Sequence, residues 1–442
     1  MVSVYSKNLQ IYNAQQFKSS IENSGEPNLY LTFGKISPWA NDSNPPQANT
    51  SVSTFIDIWK NLIGAKKIQG NDARLGIRRF DWNPGVSYTA YDDCNCSLNS
   101  NDANNKFYVV TDEWNVYKCI SNNNSSISTS KPTSTITEYS VETTDNYIWK
   151  YMYTLSHEER LRFTTSDYIP VKTLKLNDGS LQWLVQNTAV QGAIESVQVT
   201  SGGSGYSAVN LPVISIDGDG LGANAVARVN ATSTQLESII ITSKGAGYTY
   251  ANVSITGTGS GANARIILSP PGGHGSDPEE ELGASFVIIN PRLNSSEGGI
   301  LDVANEFRQV AIIKNPLLRG SQNIASNLAY SQTTTIYLDP STSTEYLEDE
   351  IVYQGANIDE ALFKGKVASW DSANNKLELV EVIGNPVSSP LVGAESRSAN
   401  YIQKDIPKNL EPYSGSLIYT NNIKPIQRSE DQTEDFKIVI SF

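Results

Sequence analysis

The chain has 442 residues, with 33 Lys and Arg against 46 Asp and Glu, for a net charge of −13. A duplex-binding surface needs an excess of cations to displace counterions, so this balance argues against nucleic acid and against an anionic membrane surface as partner. There is no run of 18 apolar residues to cross a membrane, and no apolar stretch follows a charged start as in a secretory leader. Three cysteines and two histidines leave little material for a disulfide framework, a zinc site or histidine catalysis.

In chain order, Ala14, Phe17 and Ile21 predict a short helix, and the alternating residues 28–33 predict a strand. Phe55, Ile58, Trp59 and Leu62 share one helical face. Thr54 is the expected N-cap of that helix, with Asp57 as its reciprocal acid and Gly64 as its stop. Aromatic and β-branched runs at 115–120 and 147–155 read as strands, and Ser156 with Glu159 opens a brief helix. Residues 307–313 and 436–442 read as strands, the latter with Phe436, Ile438, Ile440 and Phe442 on one face. The polar stretches 41–54 and 121–137 have little to bury and read as solvated loops. The expected fold class is mainly β: a layered β-sandwich core, a few helices in loops, and two inserted small β modules.

The first module is an internal repeat. Residues 194–206 match 236–248 at an offset of 42, and Gly222-Ala-Asn-Ala225 matches Gly261-Ala-Asn-Ala264 at an offset of 39. Fifteen of the 31 glycines fall between Gly192 and Gly275, as expected for strands and tight turns whose two copies stack and share a core. Residues 270–278, rich in Pro and Gly, read as the exit linker. The second module is acidic: 11 acids against four bases lie between Asp339 and Arg397, and the strand-like runs 362–370 and 376–383 flank a turn at 371–375. The expected division is 1–191 for the first part of the core, 192–275 for the Gly-rich repeat and 276–320 for the second part of the core. Residues 321–399 would form an acidic small β-barrel or sandwich, and 400–442 the last core strands.

Candidate chemistry is sparse. Gly202-Gly-Ser-Gly205 and Gly257-Thr-Gly-Ser-Gly261 lack a following helix and the Gly-Lys-Ser/Thr ending of a phosphate loop. Asp217 and Asp219 stand close enough to hold an ion, yet no downstream acid completes a calcium loop, so a turn is the simpler reading. Cys94, Cys96 and Cys119 lack a fourth zinc ligand other than a distant His157 or His274. Neither histidine stands in a nucleophile motif. Carboxylate pairs of the glycosidase kind need no histidine. Trp39, Trp59, Trp82, Trp114 and Trp149, however, lie beside apolar strand or helix patterns, where core packing is their ordinary role. No catalytic residue, metal or cofactor is expected. Arg78, Arg79 and Trp82 form the local basic-aromatic cluster, and with Trp39 and Phe307 they are the candidate core or interface anchors.

Several segments together resemble the baseplate wedge proteins of T4-type contractile-tailed bacteriophages, the gene product eight family. The resemblance is carried by Leu31-Thr-Phe-Gly34 with Pro38-Trp39, by Arg78-Arg79 with Asp81-Trp82, by Val116-Tyr-Lys-Cys119 and by Asp145-Asn-Tyr-Ile-Trp-Lys-Tyr151. It continues through residues 307–316, 414–425 and 431–434. It covers 1–191, 283–318 and 402–442, and departs where Phe80 separates the arginine pair from Asp81 and where the two modules interrupt the frame. It implies a layered β-sandwich, a homodimer, contacts with other wedge subunits and adjacent tail proteins, and a place in the virion after assembly in the host cytoplasm. It also implies a non-enzymatic part in the baseplate change that triggers sheath contraction. The alternative from another class is a carbohydrate- or receptor-binding tail protein with the Gly-rich repeat as its adhesive part.

Overall fold

The computed structural model describes residues 6–23, 27–95, 102–301, 303, 306–340, 345–393, 400–406, 409–429 and 431–442. The fold is mainly β, in several antiparallel sheets with few helices. The chain forms two compact units. One holds Met1–Lys18, Arg74–Ile289 and Lys437–Phe442, and the other holds Ser19–Ala73 and Asn290–Phe436.

In the second unit, a five-stranded sheet runs in the order Ala329–Ser331, Leu62–Lys67, Leu29–Gly34, Phe307–Lys314, Ser416–Ile426. Alternation sorts its side chains between two faces. Tyr30, Ala65, Ala311 and Ile313 pack with Ile58 and Trp59 of the helix Val52–Asn61. Phe33 instead meets Phe307, which also lies 6.0 Å from Phe436. The helix starts earlier than its apolar face implies. Ser51, not Thr54, is the N-cap, and its hydroxyl accepts from the Thr54 N–H at 3.2 Å. Gly64 is not a helix stop but a strand residue, and a Cβ there would come within 2.6 Å of the Phe33 ring.

The same unit carries a closed six-stranded barrel in the order Thr334–Leu338, Lys376–Ile383, Phe363–Asp371, Ile351–Gln354, Pro390–Gly393, Asn400–Ile406. Ile336, Val352, Phe363, Val367, Leu377, Leu379 and Leu391 fill it. In the turn after Phe363–Asp371, the Asp371 carboxylate accepts from the backbone N–H groups of Ala373 and Asn374. Glu395 and Arg397 of the acidic stretch lie outside the described residues.

The first unit holds two four-stranded sheets and the repeat. One sheet runs Ile438–Ser441, Phe286–Ile289, Ala73–Arg78, Tyr168–Val171. The other runs Tyr108–Val110, Asn115–Ser121, Ile148–Thr154, Val141–Glu142. Ser156 and Glu159 form a reciprocal capping box at the start of the helix His157–Phe163. The N-terminal helix extends over Lys7–Glu22, with Ile11, Ala14 and Ile21 buried.

The two repeat copies do not stack one after the other; they interleave. The first strand of copy one, Ile194–Ser204, pairs with the last strand of copy two, Ser260–Leu268. The first strand of copy two, Leu236–Ala246, pairs with the last of copy one, Leu221–Val229. The middle strands pair with each other, with Ser215 opposite Ser254. The equivalence holds to the residue: bulges fall at Asn224/Ala225 and at Asn263/Ala264. The Tyr248 hydroxyl accepts from Ala223 N–H, as the equivalent Tyr206 accepts from Ala262. Ile194, Val197, Ala227, Leu236, Ile239 and Ile266 form one shared core.

Gly203 and the equivalent Gly245 both have positive φ, at 59° and 60°. A Cβ would lie 2.4 Å from Ala262 N at the first and 2.6 Å from Ala223 N at the second. Gly203→Ala and Gly245→Ala should therefore each lose about 1–3 kcal/mol, by similar amounts, in urea unfolding. A large loss at one position with none at the other would contradict the interleaved equivalence.

Candidate functional site

The sequence-predicted anchors fall into two groups. In the first unit, the Arg78 guanidinium lies 5.7 Å from the rings of both Tyr168 and Phe286. Arg79 donates to Asp81 at 2.9 Å and to the Thr165 carbonyl at 3.2 Å, and lies 5.1 Å from the Trp114 ring. The Trp82 indole donates to Ser128, whose hydroxyl donates to Asp145. Burial would raise the Asp145 carboxyl, but hydrogen bonds from Thr143, Ser130, Thr129 and Ser128 outweigh it and hold the group below its ordinary value. Part of the polar stretch 121–137 is thus tied down on Asp145 rather than freely solvated, and Ser128 is buried.

In the second unit, Phe307 is fully buried and packs in the core between Phe33 and Phe436. Its neighbour Arg308 donates to both Asp42 oxygens at 3.0 Å, to the Ile36 carbonyl and to Glu306. Asp42 accepts the Trp39 N–H at 2.7 Å, and the Trp39 indole donates to the Ile423 carbonyl at 3.3 Å. Arg308 therefore fixes the loop that carries Trp39, a role that its place in an apolar run concealed.

The possible ligand groups are engaged with the protein itself. Asp92, Asp93 and Cys94 bring their ligand atoms within 4.8 Å of one another. The Arg265 guanidinium lies against all three, at 2.7 Å from Asp92, 2.6 Å from Asp93 and 3.4 Å from the Cys94 sulfur. Cys119 is buried, which pushes its thiol well up, and Cys96 lies outside the described residues. Asp219 accepts the N–H groups of Thr249 and Tyr250 and the Thr249 hydroxyl; these bonds, the Thr249 hydroxyl foremost, hold its carboxyl at about 2. Asp217 faces Asn252 across the middle strand pair. Asp217 thus lies in the strand Val213–Gly218, and Asp219 in the bend that follows it.

The densest electrostatic feature was not expected. Lys118 and Lys150 are direct cross-strand partners, and both are fully buried. Like charges placed opposite each other destabilise a sheet unless they are compensated. Lys118 donates to Glu281 at 2.7 Å and to His274 Nδ1 at 3.2 Å, and its ammonium lies 4.1 Å from the Tyr91 ring. The other Glu281 oxygen accepts the N–H groups of Gly275 and Asp277. Burial works to raise the Glu281 carboxyl, but Lys118 and His274 overcome it and hold the group at about 2. Lys150 donates to the Thr137 carbonyl at 2.8 Å and feels the nearby charge of Glu195, which accepts from Ser140. Burial lowers both lysines, with the acids opposing it. The one local signal was a lysine at the centre of each of two aromatic strand runs.

One helix leaves two leucines outside while it buries a glutamine. In Leu181–Thr188, Gln182 is buried and donates to the Lys172 carbonyl, and Gln186 bonds both the N–H and the carbonyl of Leu174. Leu181 and Leu184 are 43% and 45% exposed, and nearby Leu176 is 80% exposed. The inner face buries Val185 beside Gln182, while Leu181 and Leu184 are left outside, against the ordinary pattern for leucine.

No protein-family model matches the chain. Part of it is similar to the baseplate wedge protein gp8 of Enterobacteria phage T4, with 23% identity over 192 residues. That match takes in 35% of this chain and 56% of the phage protein, so the chain spans about half the length of the relative.

Lys118→Met should lose about 3–5 kcal/mol in urea unfolding, because it leaves the buried Glu281 charge without its cationic partner. Lys118→Met combined with Glu281→Gln should recover much of that loss. Equal losses in the single and double variants would contradict a compensated pair.

Proposed function

We propose that this chain is a structural subunit of a bacteriophage tail baseplate wedge. In this reading it is a homodimer that joins neighbouring wedge subunits and adjacent tail proteins in the virion. It assembles in the host cytoplasm and supports the baseplate change that triggers sheath contraction. The partial similarity to a baseplate wedge protein supports the setting. The observation that carries an assembly role is the helix Leu181–Thr188, whose leucines face outward while its glutamines satisfy the backbone behind it. An apolar face of this kind gains by meeting another protein. The charged groups described above are bound to one another and to backbone, which suits a stiff part better than a reacting centre. Arg78, Arg79, Trp82 and Trp39 would then brace surface loops, with Phe307 as a core support.

The adhesive reading has one observation in its favour. Val209, Leu221 and Tyr250, 90%, 82% and 60% exposed, lie at or beside the ends of the middle strand pair of the repeat.

Leu181→Glu with Leu184→Glu tests the assembly role. Exposed substitutions of this kind shift stability by only about 0.5 kcal/mol, so the melting temperature should hold while incorporation into purified particles falls at least tenfold. Full incorporation of the double variant would remove the assembly role of this face. Specific glycan binding by a chain absent from particles would favour the adhesin.

A further inference from the structure

The chain leaves the repeat at Leu268 and must pass between the four-stranded sheet and the helix Leu181–Thr188. It does so as Pro270-Pro-Gly-Gly-His-Gly275, with positive φ at Gly272, Gly273 and Gly275. A Cβ at Gly273 would lie 2.4 Å from the Val190 carbonyl oxygen, and one at Gly275 would lie 2.4 Å from the Val185 side chain. This close passage delivers His274 to a fully enclosed position. Its Nδ1 accepts from the Lys118 ammonium, its ring meets the Tyr91 ring at 4.8 Å, and the Glu281 carboxylate lies 3.8 Å away. An Nδ1 that accepts leaves the ring proton on Nε2, so His274 is neutral in this arrangement.

We propose that the Lys118–His274–Glu281 knot is an acid-sensitive latch: protonation of His274 sets an imidazolium against the Lys118 ammonium and releases residues 270–282 from the sheet while the rest of the unit stays folded. The groups facing the knot come from four other elements and from the helix that carries Glu281 itself. Lys7 lies on the N-terminal helix, Tyr91, Asp92 and Asp93 on the loop before residue 95, and Lys150 on the neighbouring strand. Glu195 lies on the first repeat strand and Glu280 on the short helix Pro278–Leu282. Burial and then Lys118 depress the histidine, and Glu281 and Glu195 oppose them only in part. A depressed histidine means that the released segment takes up a proton before the latched one does. The hold is therefore complete above the ordinary value of 6.5 and weakens as pH falls below it. Glu281 titrates in a separate window, between the ordinary 4.5 and about 2, so at pH 5 its carboxylate is intact. The other ties of the repeat, Arg265 to Asp92 and Asp93 and Arg228 to Glu142, are carboxylate–guanidinium pairs that involve no histidine.

Hydrogen exchange of the full chain, read by mass spectrometry at pH 7 and pH 5 and corrected for intrinsic rate, tests the latch. Protection in 270–282 should fall about tenfold or more at pH 5 while the central strands keep theirs. His274→Gln, whose amide oxygen accepts from Lys118 and takes no proton, should abolish the pH dependence. Unchanged protection in the wild-type chain overturns the proposal, and so does an equal fall in the variant. Imidazole titration by NMR gives a check without substitution, since the chain has only two histidines. The latched His274 should titrate below its ordinary 6.5, and titration at or above 6.5 would sink the latch.

Discussion

Two buried lysines side by side on adjacent strands form the constraint around which the first unit is arranged. Lys118 and Lys150 are opposite each other in register and shielded from water. In a low-dielectric interior such a pair is tolerated only with acids and acceptors close by. Glu281 answers one lysine, and the Thr137 carbonyl with the charge of Glu195 answers the other. Glu195 begins the repeat and Glu281 lies just beyond its end. The same charge balance therefore ties both ends of the repeat to one sheet.

The interleaving of the repeat makes this attachment possible. Because the first strand pairs with the last, Ile194 stands opposite Leu268, and the two chain ends emerge together. Stacked copies would separate the ends by the length of the module. Exchanged strands also give each copy half of the other's hydrogen bonds, so neither copy can open alone. The pseudo-symmetry extends to the capping of the crossovers: Tyr248 N–H donates to the Gly192 carbonyl, and Tyr206 N–H to the equivalent Thr234.

The mainly β class, the amphipathic helix around Ile58 and Trp59, the Ser156–Glu159 capping box and the turn at Asp371 were legible because each is written in residues three or four apart or in simple alternation. The Thr54 cap failed because Ser51 offers the same chemistry one turn earlier. Gly64 failed because a glycine that makes room for the Phe33 ring looks, in sequence, like one that ends a helix. The buried knot escaped notice for a different reason. Lys118 and Glu281 are 163 positions apart, and nothing local distinguishes a lysine aimed inward from one at a solvated strand edge. His274, set in a glycine-rich stretch, read as linker for the same reason. Interleaving was hidden as well, because repeated sequence fixes which segments are equivalent and not which copy supplies the partner strand.

Buried charges bound to one another, with one helix presenting leucines outward, are the physical content of the wedge-subunit account. A cryo-EM map of an assembled tail carrying this chain tests it most directly. The account predicts the chain in the baseplate with Leu176, Leu181 and Leu184 covered by a neighbouring protein. A baseplate without the chain, or one in which those leucines face open solvent, would contradict it.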